Sequence, residues 1–466
     1  MTRRRLSGAP MALMAGMLCL ALPLIVPPPA GLPEPAWRAA GLALLMALWW
    51  LTEALPLAAT ALVPLALAPL LGLAGLDTVA PAYSHPLVVL FLGGFLLARA
   101  IERWGLHRRV AFALLGLAGD RPGRVLAAMM AATAFLSLWI SNTAAAMVMA
   151  PIAAGIADTQ ARAGRFPAAL MLGVAFSATI GGMGTLIGTP PNAIFAAYMS
   201  RAHGIEIGFA RWAMAALPVA AVLLVAAWAV LARVTPGLGE GRLAPRQDAA
   251  PGPMGPAERR VALLAGLTAL AWIARPLLNG LFPGLGLSDA GIAVLAALAL
   301  FVLPSGQGGR LLDWSHAATL RWDVLILFGG GLALAGLLEG SGLAGWIGQR
   351  AATLQGLSLP LLIAVMAALI VLVGELASNT AMASIFLPIA GAAALTLGAD
   401  PVAFLLPVAL AASLGFMLPV ATPPNAIVFG HKAVGRADML RAGALLDLIG
   451  IAVAVAGGVL LGPYLG

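Results

Sequence analysis

The sequence predicts an all-α polytopic membrane protein that is built from two inverted repeats. Hydrophobic residues make up 62% of the 466 residues and charged residues only 9%, with a mean hydropathy of +1.00. No soluble domain buries so large an apolar fraction, so lipid must surround much of the chain. The apolar runs are long and lack the alternation of barrel strands, which indicates about eleven transmembrane helices.

Two polar motifs, each occurring twice inside apolar stretches, predict the repeats. Ser-Asn-Thr occurs at 141–143 and at 378–380, an offset of 378 − 141 = 237 residues. Thr-Pro-Pro-Asn occurs at 189–192 and at 422–425, an offset of 422 − 189 = 233 residues. The upstream segment LFLGGFLLARAIERWGL also recurs as LFGGGLALAGLLEGSGL. A duplication of this length with polar centres at membrane depth is typical of secondary transporters.

The first half of the chain contains N-terminal spans followed by repeat one. Residues 1–84 hold three predicted spans, and residues 85–235 form repeat one. Within repeat one, residues 124–157 are two apolar helices that meet at the Ser-Asn-Thr motif. Basic flanks at both ends place those ends on one side of the membrane, so this segment is predicted to be a re-entrant hairpin.

The second half of the chain repeats this plan after a linker. Residues 236–257 are rich in Pro, Gly and charge and form the predicted cytoplasmic linker. Residues 258–304 hold two connecting spans, and residues 316–466 form repeat two with its re-entrant hairpin at 357–396. The predicted spans of the whole chain lie near residues 11–27, 36–51, 55–73, 85–102, 167–199, 212–233, 259–275, 288–304, 322–339, 401–430 and 441–463, of which the fifth and the tenth are interrupted.

The distribution of Arg and Lys predicts that the N-terminus lies in the cytoplasm, and the chain is expected in the inner (plasma) membrane of the cell. With this orientation, all but five of the 26 basic residues fall on the cytoplasmic side. The five exceptions are Arg38, Arg201, Arg211, Arg275 and Arg350. An odd number of spans separates the entry points of the repeats, so the two hairpins are predicted to enter from opposite faces.

The paired motifs predict a site for an anion and a cation at the centre of the bilayer. The pairs Gly181-Gly182 and Pro190-Pro191 are predicted to break the fifth span. Such a break frees backbone carbonyl groups, which are tolerated at this depth only around a cavity enclosed by protein. The hairpin tips open new helices, whose unpaired N–H groups attract carboxylate or sulfate. Oxygen ligands from the interruptions are expected to hold Na+ beside the anion.

Each motif alone has a simpler explanation. One Ser-Asn-Thr before an Ala-rich helix is usually an N-cap, and one Thr-Pro-Pro-Asn is usually a turn that starts a helix. Their recurrence in the same order at nearly the same offset favours the transporter. An enzyme needs a nucleophile with a base, or metal ligands, and a channel needs a pore that two opposed hairpins would block. The basic charge is a topology signal, so nucleic acid is not an expected partner.

At these motifs, and in the segment WWLTEALPLAATALVPL, the sequence resembles the divalent-anion:Na+ symporter (DASS) family, the INDY-type di- and tricarboxylate transporters. The resemblance covers nearly the whole chain. It implies Na+-coupled symport of dicarboxylates such as succinate, malate or fumarate into the cell, with no organic cofactor. It also implies a homodimer in the lipid bilayer, in which a fixed scaffold domain including residues 1–84 supports a transport domain that moves like an elevator.

The resemblance also assigns roles to residues of both motifs. The residues implied to contact the substrate are Asn142, Thr143, Thr189, Ser378, Asn379, Thr380 and Thr422. The residues implied to bind Na+ are Ser137, Ser141, Asn142 and Gly188 in repeat one, and Ser378, Asn379 and Ala421 in repeat two.

One residue departs from the family pattern. Four residues before the second Ser-Asn-Thr, Na+-coupled members commonly have Thr, whereas this chain has Gly374 and repeat one has Ser137. A hydroxyl ligand of the second Na+ site is therefore missing. A Na+-independent dicarboxylate exchanger and a sulfate transporter of the same family stay open as alternatives, but the absence of Lys, Arg and His from both motifs favours Na+ coupling.

The charge distribution yields a topology prediction. The linker should be cytoplasmic because five Arg residues lie between positions 233 and 260. In a Cys19→Ala background, which removes the single native cysteine, a Gln247→Cys variant should react with an impermeant thiol reagent only after the cells are permeabilised. Labelling in intact cells would contradict the predicted orientation.

Overall fold

The computed structural model describes residues 9–159, 165–234, 243, 252–351 and 356–465. These residues form helices joined by loops, and no β-strand occurs among them. The predicted all-α fold class is therefore confirmed.

The N-terminal part of the described chain consists of short and medium helices before repeat one. The second of these helices ends at Thr52. The next residue, Glu53, has a left-handed backbone conformation with φ 49°, which ends an α-helix. The N-terminal helices are α1 (Ala9–Ile25), α2 (Glu34–Thr52), α3 (Leu57–Thr60), α4 (Val63–Leu70) and α5 (Leu76–Val79).

The helices of the two repeats follow the same order. Repeat one contains α6 (Pro86–Arg103), α7 (Leu106–Gly116), α8 (Pro122–Ser137), α9 (Asn142–Thr159), α10 (Phe166–Met183), α11 (Pro190–His203) and α12 (Phe209–Val234). The connecting helices are α13 (Pro256–Leu281), α14 (Asp289–Val302) and α15 (Trp314–Ala317). Repeat two contains α16 (Trp322–Gly340), α17 (Leu343–Ala351), α18 (Leu359–Gly374), α19 (Asn379–Thr396), α20 (Pro401–Ala411), α21 (Pro423–Phe429) and α22 (Arg436–Leu461). The first hairpin arms, α8 and α18, have 16 residues each, and the second arms, α9 and α19, have 18 each.

Several of these helices have the length and composition of membrane spans. Within the described ranges, seven helical segments are long and apolar enough to cross a bilayer. One of the seven is α19, which length alone would class as a span although it starts at a hairpin tip. Each predicted span coincides with one helix or with a pair of helices around an interruption. The predicted third span is such a pair, because α3 and α4 are separated at residues 61–62.

The interruption of the fifth span lies later than the sequence suggested. The pair Gly181-Gly182 looks like a helix breaker, but α10 continues through it and ends at Met183. Every residue of α10 is buried, and a Cβ on Gly181 would lie 2.3 Å from the carbonyl oxygen of Ala134 in α8. Gly181 therefore allows α10 to pack closely against the first hairpin arm rather than ending the helix.

The two halves of the chain exchange contacts in a reciprocal way. Helix α11 of repeat one packs against α19 and α20, and helix α21 of repeat two packs against α9 and α10. Within each repeat the hairpin arm contacts the interrupted span, α8 with α10 and α18 with α20, and α12 contacts α22. Two repeats related by a pseudo-two-fold axis are expected to produce this exchange. Their inverted orientation in a membrane stays a prediction.

Ion pairs connect helices at several of their ends. Arg109 of α7 binds Glu258 of α13 at 2.6 Å. Arg275 of α13 binds Asp289 of α14 at 2.8 Å, and the same carboxylate accepts the backbone N–H of Phe209, the first residue of α12, at 2.7 Å. Pairing of this kind offsets the cost of partly burying charged groups.

The domain boundaries predicted from the sequence stay predictions. Most of the linker at 236–257 lies outside the described residues, and its last two residues already belong to α13.

The close contact at Gly181 yields a stability prediction. Gly181→Ala should separate α10 from α8 and lower the free energy of unfolding by about 1–3 kcal/mol, the usual cost of overpacking. Gly155→Ala in α9 is the matched control, because a Cβ at Gly155 meets no atom within 4 Å. Thermal unfolding of the purified proteins should show a lower Tm for Gly181→Ala only, and equal Tm values would contradict the packing described.

Candidate functional site

The first hairpin tip connects α8, which ends at Ser137, to α9, which begins at Asn142. The Ser141 hydroxyl accepts the backbone N–H of Ala144 at 3.2 Å and so caps α9. Ser141 is therefore an N-cap residue, as the simpler explanation of a single Ser-Asn-Thr motif predicts. Asn142 and Thr143 follow in the first turn of α9 and are only partly buried, so their side chains are accessible at the tip.

Asn142 lies in a cluster of oxygen atoms from three elements. One terminal atom of its amide is 2.9 Å from the hydroxyl of Ser137 and 3.2 Å from the carbonyl oxygens of Ala178 and Gly188. The hydrogen bonds of the side chain are satisfied when this atom is the amide nitrogen, which then shares its two hydrogens among the three oxygens. With the amide turned over, four oxygen atoms converge, and a hard cation such as Na+ between them would make that arrangement favourable. The Ser137 hydroxyl also donates to Ala178 at 2.6 Å and so supports the cluster.

Two glycines allow this cluster to form. A Cβ on Gly182 would lie 2.1 Å from the Asn142 amide, and a Cβ on Gly188 would lie 2.4 Å from the carbonyl oxygen of Gly182. The interruption between α10 and α11 can therefore pack against the hairpin tip only because Gly182 and Gly188 have no side chains. Ser137, Asn142 and Gly188, three of the residues predicted to bind Na+, are brought together here.

Asn192, the last residue of the first Thr-Pro-Pro-Asn motif, holds the interruption in shape. Its side chain is fully buried, and its amide nitrogen donates to the carbonyl oxygens of Gly182 at 3.0 Å, Met183 at 3.2 Å and Thr185 at 2.7 Å. These are the carbonyls that the end of α10 would otherwise leave unsatisfied.

Asn425, its counterpart in repeat two, makes two of the three equivalent contacts. Its buried amide nitrogen donates to the carbonyl oxygens of Gly415 at 3.1 Å and Leu418 at 3.0 Å. These acceptors lie 10 and 7 residues earlier in the chain, the same separations as those between Asn192 and two of its acceptors. Sequence reasoning did not select either Asn as a site residue, although the duplicated motif contained the signal.

The second hairpin tip has fewer internal hydrogen bonds than the first. Ser378 is the N-cap residue of α19, but its side chain caps no N–H group. The amide nitrogen of Asn379 donates to the carbonyl oxygen of Ser413 at 3.4 Å, and its amide oxygen is buried without a hydrogen-bond partner. The amide oxygens of Asn192 and Asn425 are buried and unpaired as well, but the oxygen of Asn379 lies on a hairpin-tip residue, where it is available to a cation.

Two buried carboxyl groups hold the interruption of repeat two. Glu375 accepts the N–H groups of Met417 at 2.9 Å and Leu418 at 2.7 Å. Asp447 of α22 accepts the preceding N–H group, that of Phe416, at 3.2 Å. Repeat one has Leu138 at the position of Glu375, since 375 − 237 = 138. Both acidic residues stand out in apolar sequence. They lie 72 residues apart (447 − 375), however, so the sequence does not show that both bind the backbone of the same interruption.

The remaining predicted site residues lie at helix starts. Thr189 and Thr422 are the N-cap residues of α11 and α21, and only the Thr422 hydroxyl accepts an N–H group, that of Asn425 at 3.3 Å. Ala421 is buried beside Thr422, and Thr380 is buried in the first turn of α19. Among the described residues, no side-chain hydrogen bond joins Thr143, Thr189, Ser378 or Thr380 to another predicted site residue, so their grouping around one substrate stays a prediction.

The Ser, Asn and Thr side chains of both tips are neutral, and the acidic group at the second tip, that of Glu375, already accepts two backbone N–H groups. Among the described residues, no Lys, Arg or His side chain forms a hydrogen bond with Asn142 or Asn379. Arg201 of α11 has its guanidinium against Gly336 of α16 and donates to the carbonyl oxygen of Leu332 at 3.1 Å. Any negative charge bound between the tips therefore needs a cation from solution or the helix N-termini to balance it.

Comparison with known proteins identifies the family. The family model described as the sodium:sulfate symporter transmembrane region matches residues 9–466. The chain is 37% identical to a sodium-dependent dicarboxylate transporter SdcS from Staphylococcus saprophyticus, over 96% of this chain and 90% of that protein. It is 38% identical to the transporter of the same name from Staphylococcus aureus, over 95% of this chain and 89% of that protein.

Solved structures share the fold at low sequence identity. The YdaH transporter of Alcanivorax borkumensis superposes with a TM-score of 0.58 at 18% identity, covering 83% of this chain and 87% of that one. MtrF of Neisseria gonorrhoeae superposes with a TM-score of 0.51 at 14% identity, covering 82% and 83%. The match of the family model over residues 9–466 and the identity to these relatives over nearly the whole length show that this chain belongs to the sodium:sulfate symporter family of divalent-anion:Na+ symporters. The paired motifs predicted this family.

Proposed function

We propose that this protein is a secondary active transporter that couples the entry of Na+ to the uptake of dicarboxylates such as succinate, malate and fumarate. The observation that carries the proposal is the oxygen cluster around Asn142, which is assembled from a hairpin hydroxyl, a hairpin amide and two backbone carbonyls. The relatives named sodium-dependent dicarboxylate transporters support both the ion and the substrate class.

The cation sites use oxygen ligands from the tips and the interruptions. In repeat one, Ser137, Asn142 and Gly188 fit Na+, and Ser141 can add its second lone pair because its hydroxyl already accepts only one N–H group. In repeat two, the buried and unpaired oxygen of Asn379 fits the same role, with Ser378 and the Ala421 carbonyl beside it.

The dianion binds between the two hairpin tips. The N-termini of α9 and α19 offer N–H groups and partial positive charge, and the hydroxyl and amide groups of the tips donate to the carboxylates. Two carboxylates in a site without basic side chains are costly unless Na+ lies next to them. Binding of each ion therefore raises the affinity for the other, and this coupling lets a Na+ gradient drive uptake. The residues assigned to the dianion are Asn142, Thr143, Thr189, Ser378, Asn379, Thr380 and Thr422.

The site moves across the membrane with the elements that build it. The hairpins, the interrupted spans, α12 and α22 contact one another and form the proposed transport domain, and α1 to α6 with α13, α14 and α16 form the proposed scaffold. The repeats are inverted, the N-terminus is cytoplasmic, and the scaffold mediates a homodimer. The contact of Arg201 in α11 with Leu332 in α16 crosses the proposed boundary and has to break when the transport domain moves.

Uptake of labelled succinate into proteoliposomes tests this function. An inward Na+ gradient should drive accumulation that a choline gradient does not. Succinate exchange that is equally fast in Na+ and in choline would instead favour the Na+-independent exchanger, and transport of sulfate but not succinate would favour the sulfate transporter.

The shared role of the hairpin amides yields a prediction for transport. Asn142→Ala or Asn379→Ala should abolish Na+-driven succinate uptake, because each amide is proposed to serve the anion and a cation together. Both variants should still fold, as judged by thermal unfolding in choline chloride. Wild-type uptake rates in both variants at equal reconstituted amounts would contradict the assignment.

The close approach of Gly182 to Asn142 yields a second prediction. Gly182→Ala should push the flexible Asn142 amide out of the oxygen cluster and raise the Na+ concentration for half-maximal uptake by about tenfold, the effect of losing roughly 1.4 kcal/mol. Gly266→Ala in α13 is the control, since a Cβ there meets nothing within 4 Å. An unchanged Na+ dependence in Gly182→Ala would show that Asn142 does not bind the cation.

A further inference from the structure

The second cation site lacks a hydroxyl where the first has one. In repeat one the Ser137 hydroxyl lies 2.9 Å from the Asn142 amide and 2.6 Å from the Ala178 carbonyl oxygen. The position of Ser137 is occupied in repeat two by Gly374, since 374 − 237 = 137. A hard cation needs several oxygen ligands to replace its water shell, so this difference should weaken the second site.

Packing does not explain the glycine. Gly374 is buried at the end of α18, yet a Cβ built there has only one neighbour within 4 Å, the Cγ atom of Met382 at 3.8 Å. That distance is an ordinary van der Waals contact. The hairpin therefore has room at this position for a Cβ, the atom to which a hydroxyl would be attached.

A hydroxyl group is present on Ser413, the residue whose carbonyl oxygen contacts the amide of Asn379. Asn142 reaches the carbonyl of Ala178, whereas Asn379 reaches the carbonyl of Ser413, just after the end of α20. Ser413 is 1% exposed, and its hydroxyl has no hydrogen-bond partner. The amide oxygen of Asn379, on the residue that contacts Ser413, is likewise buried and unpaired. A buried serine outside a binding site normally donates to a nearby carbonyl, as Ser177 does to Gly173 at 2.5 Å.

We propose that the Ser413 hydroxyl is an oxygen ligand of the second cation site and replaces the hydroxyl that Gly374 lacks. The hydroxyl has changed sides between the repeats, from the hairpin arm in repeat one to the interrupted span in repeat two. Both sites thereby have two hydroxyl groups, one from the tip serine (Ser141 or Ser378) and one from Ser137 or Ser413, together with one carboxamide and backbone carbonyl groups. This inference rests on the proposed Na+-coupled function, and it adds a ligand that neither the motifs nor the family resemblance assigns.

The cation role differs from a possible contact with the substrate. A hydroxyl that only donated to a bound carboxylate would affect succinate binding but not the response to Na+ alone. The Na+ response in the absence of any dicarboxylate is therefore the informative measurement, with NaCl as the probe and choline chloride keeping the ionic strength constant.

The test compares Na+-dependent rises in Tm of the purified full-length protein. Ser413→Ala should raise the Na+ concentration at half effect by about tenfold, with no change of Tm in choline chloride. Ser413→Cys, which keeps the volume but offers a soft sulfur, should do the same. Ser177→Ala is the matched control and should leave the Na+ response unchanged, because its hydroxyl bonds to its own helix. Gly374→Ser introduced into Ser413→Ala should restore most of the lost Na+ response.

The outcomes separate this inference from the proposed function. If the wild type shows no Na+ effect, the Na+-coupled function fails, and the inference fails with it. If the wild type responds and both Ser413 variants respond equally, only the inference fails. A Tm that falls by the same amount with and without Na+, or a Gly374→Ser double variant that restores nothing, would also contradict it.

Discussion

A helix that is interrupted inside a membrane must have its free backbone groups satisfied by the protein itself, and both halves of this structure depend on that constraint. In each repeat one buried amide, that of Asn192 or Asn425, binds the carbonyl groups at the interruption. In repeat two, Glu375 and Asp447 also bind three successive N–H groups. With these groups satisfied, the interruptions keep a fixed shape, and their remaining oxygen atoms lie against the hairpin asparagines.

The chemical groups at the proposed site explain why binding of the dianion and binding of Na+ would be coupled. The groups that form hydrogen bonds with Asn142 and Asn379 are hydroxyls and backbone carbonyls, so a dianion at the proposed site meets no basic side chain there. A dianion and Na+ stabilise each other in a medium of low dielectric constant far more than they would in water. A site without basic side chains therefore favours binding both ions or neither, which is the requirement for symport.

The sequence predicted the positions of the helices in the hairpin segments and the spans well because their signals are local. The apolar arms and the turn chemistry of both hairpins are continuous in sequence, and α8, α9, α18 and α19 begin and end within a few residues of the predicted limits. The sequence did not show that α10 continues through Gly181-Gly182, because the reason is the backbone of α8 on the other side of the contact. Asn192 and Asn425, which bind the carbonyl groups of the interruptions, lie within the recognised motifs. A turn that starts a helix explained the sequence of those motifs equally well, so this role was not predicted. The joint role of Glu375 and Asp447 depends on a tertiary contact between distant segments that no local pattern encodes.

The central claim is that a site without basic side chains binds dicarboxylate and Na+ together, and titration calorimetry of purified protein tests it most directly. Succinate would be titrated into the protein at several NaCl concentrations, with choline chloride keeping the ionic strength constant. The account predicts that the Kd for succinate falls as Na+ rises and that no binding is measurable in choline alone. A Kd that is the same in Na+ and in choline would contradict it, since the protein would then balance the dianion without a bound cation.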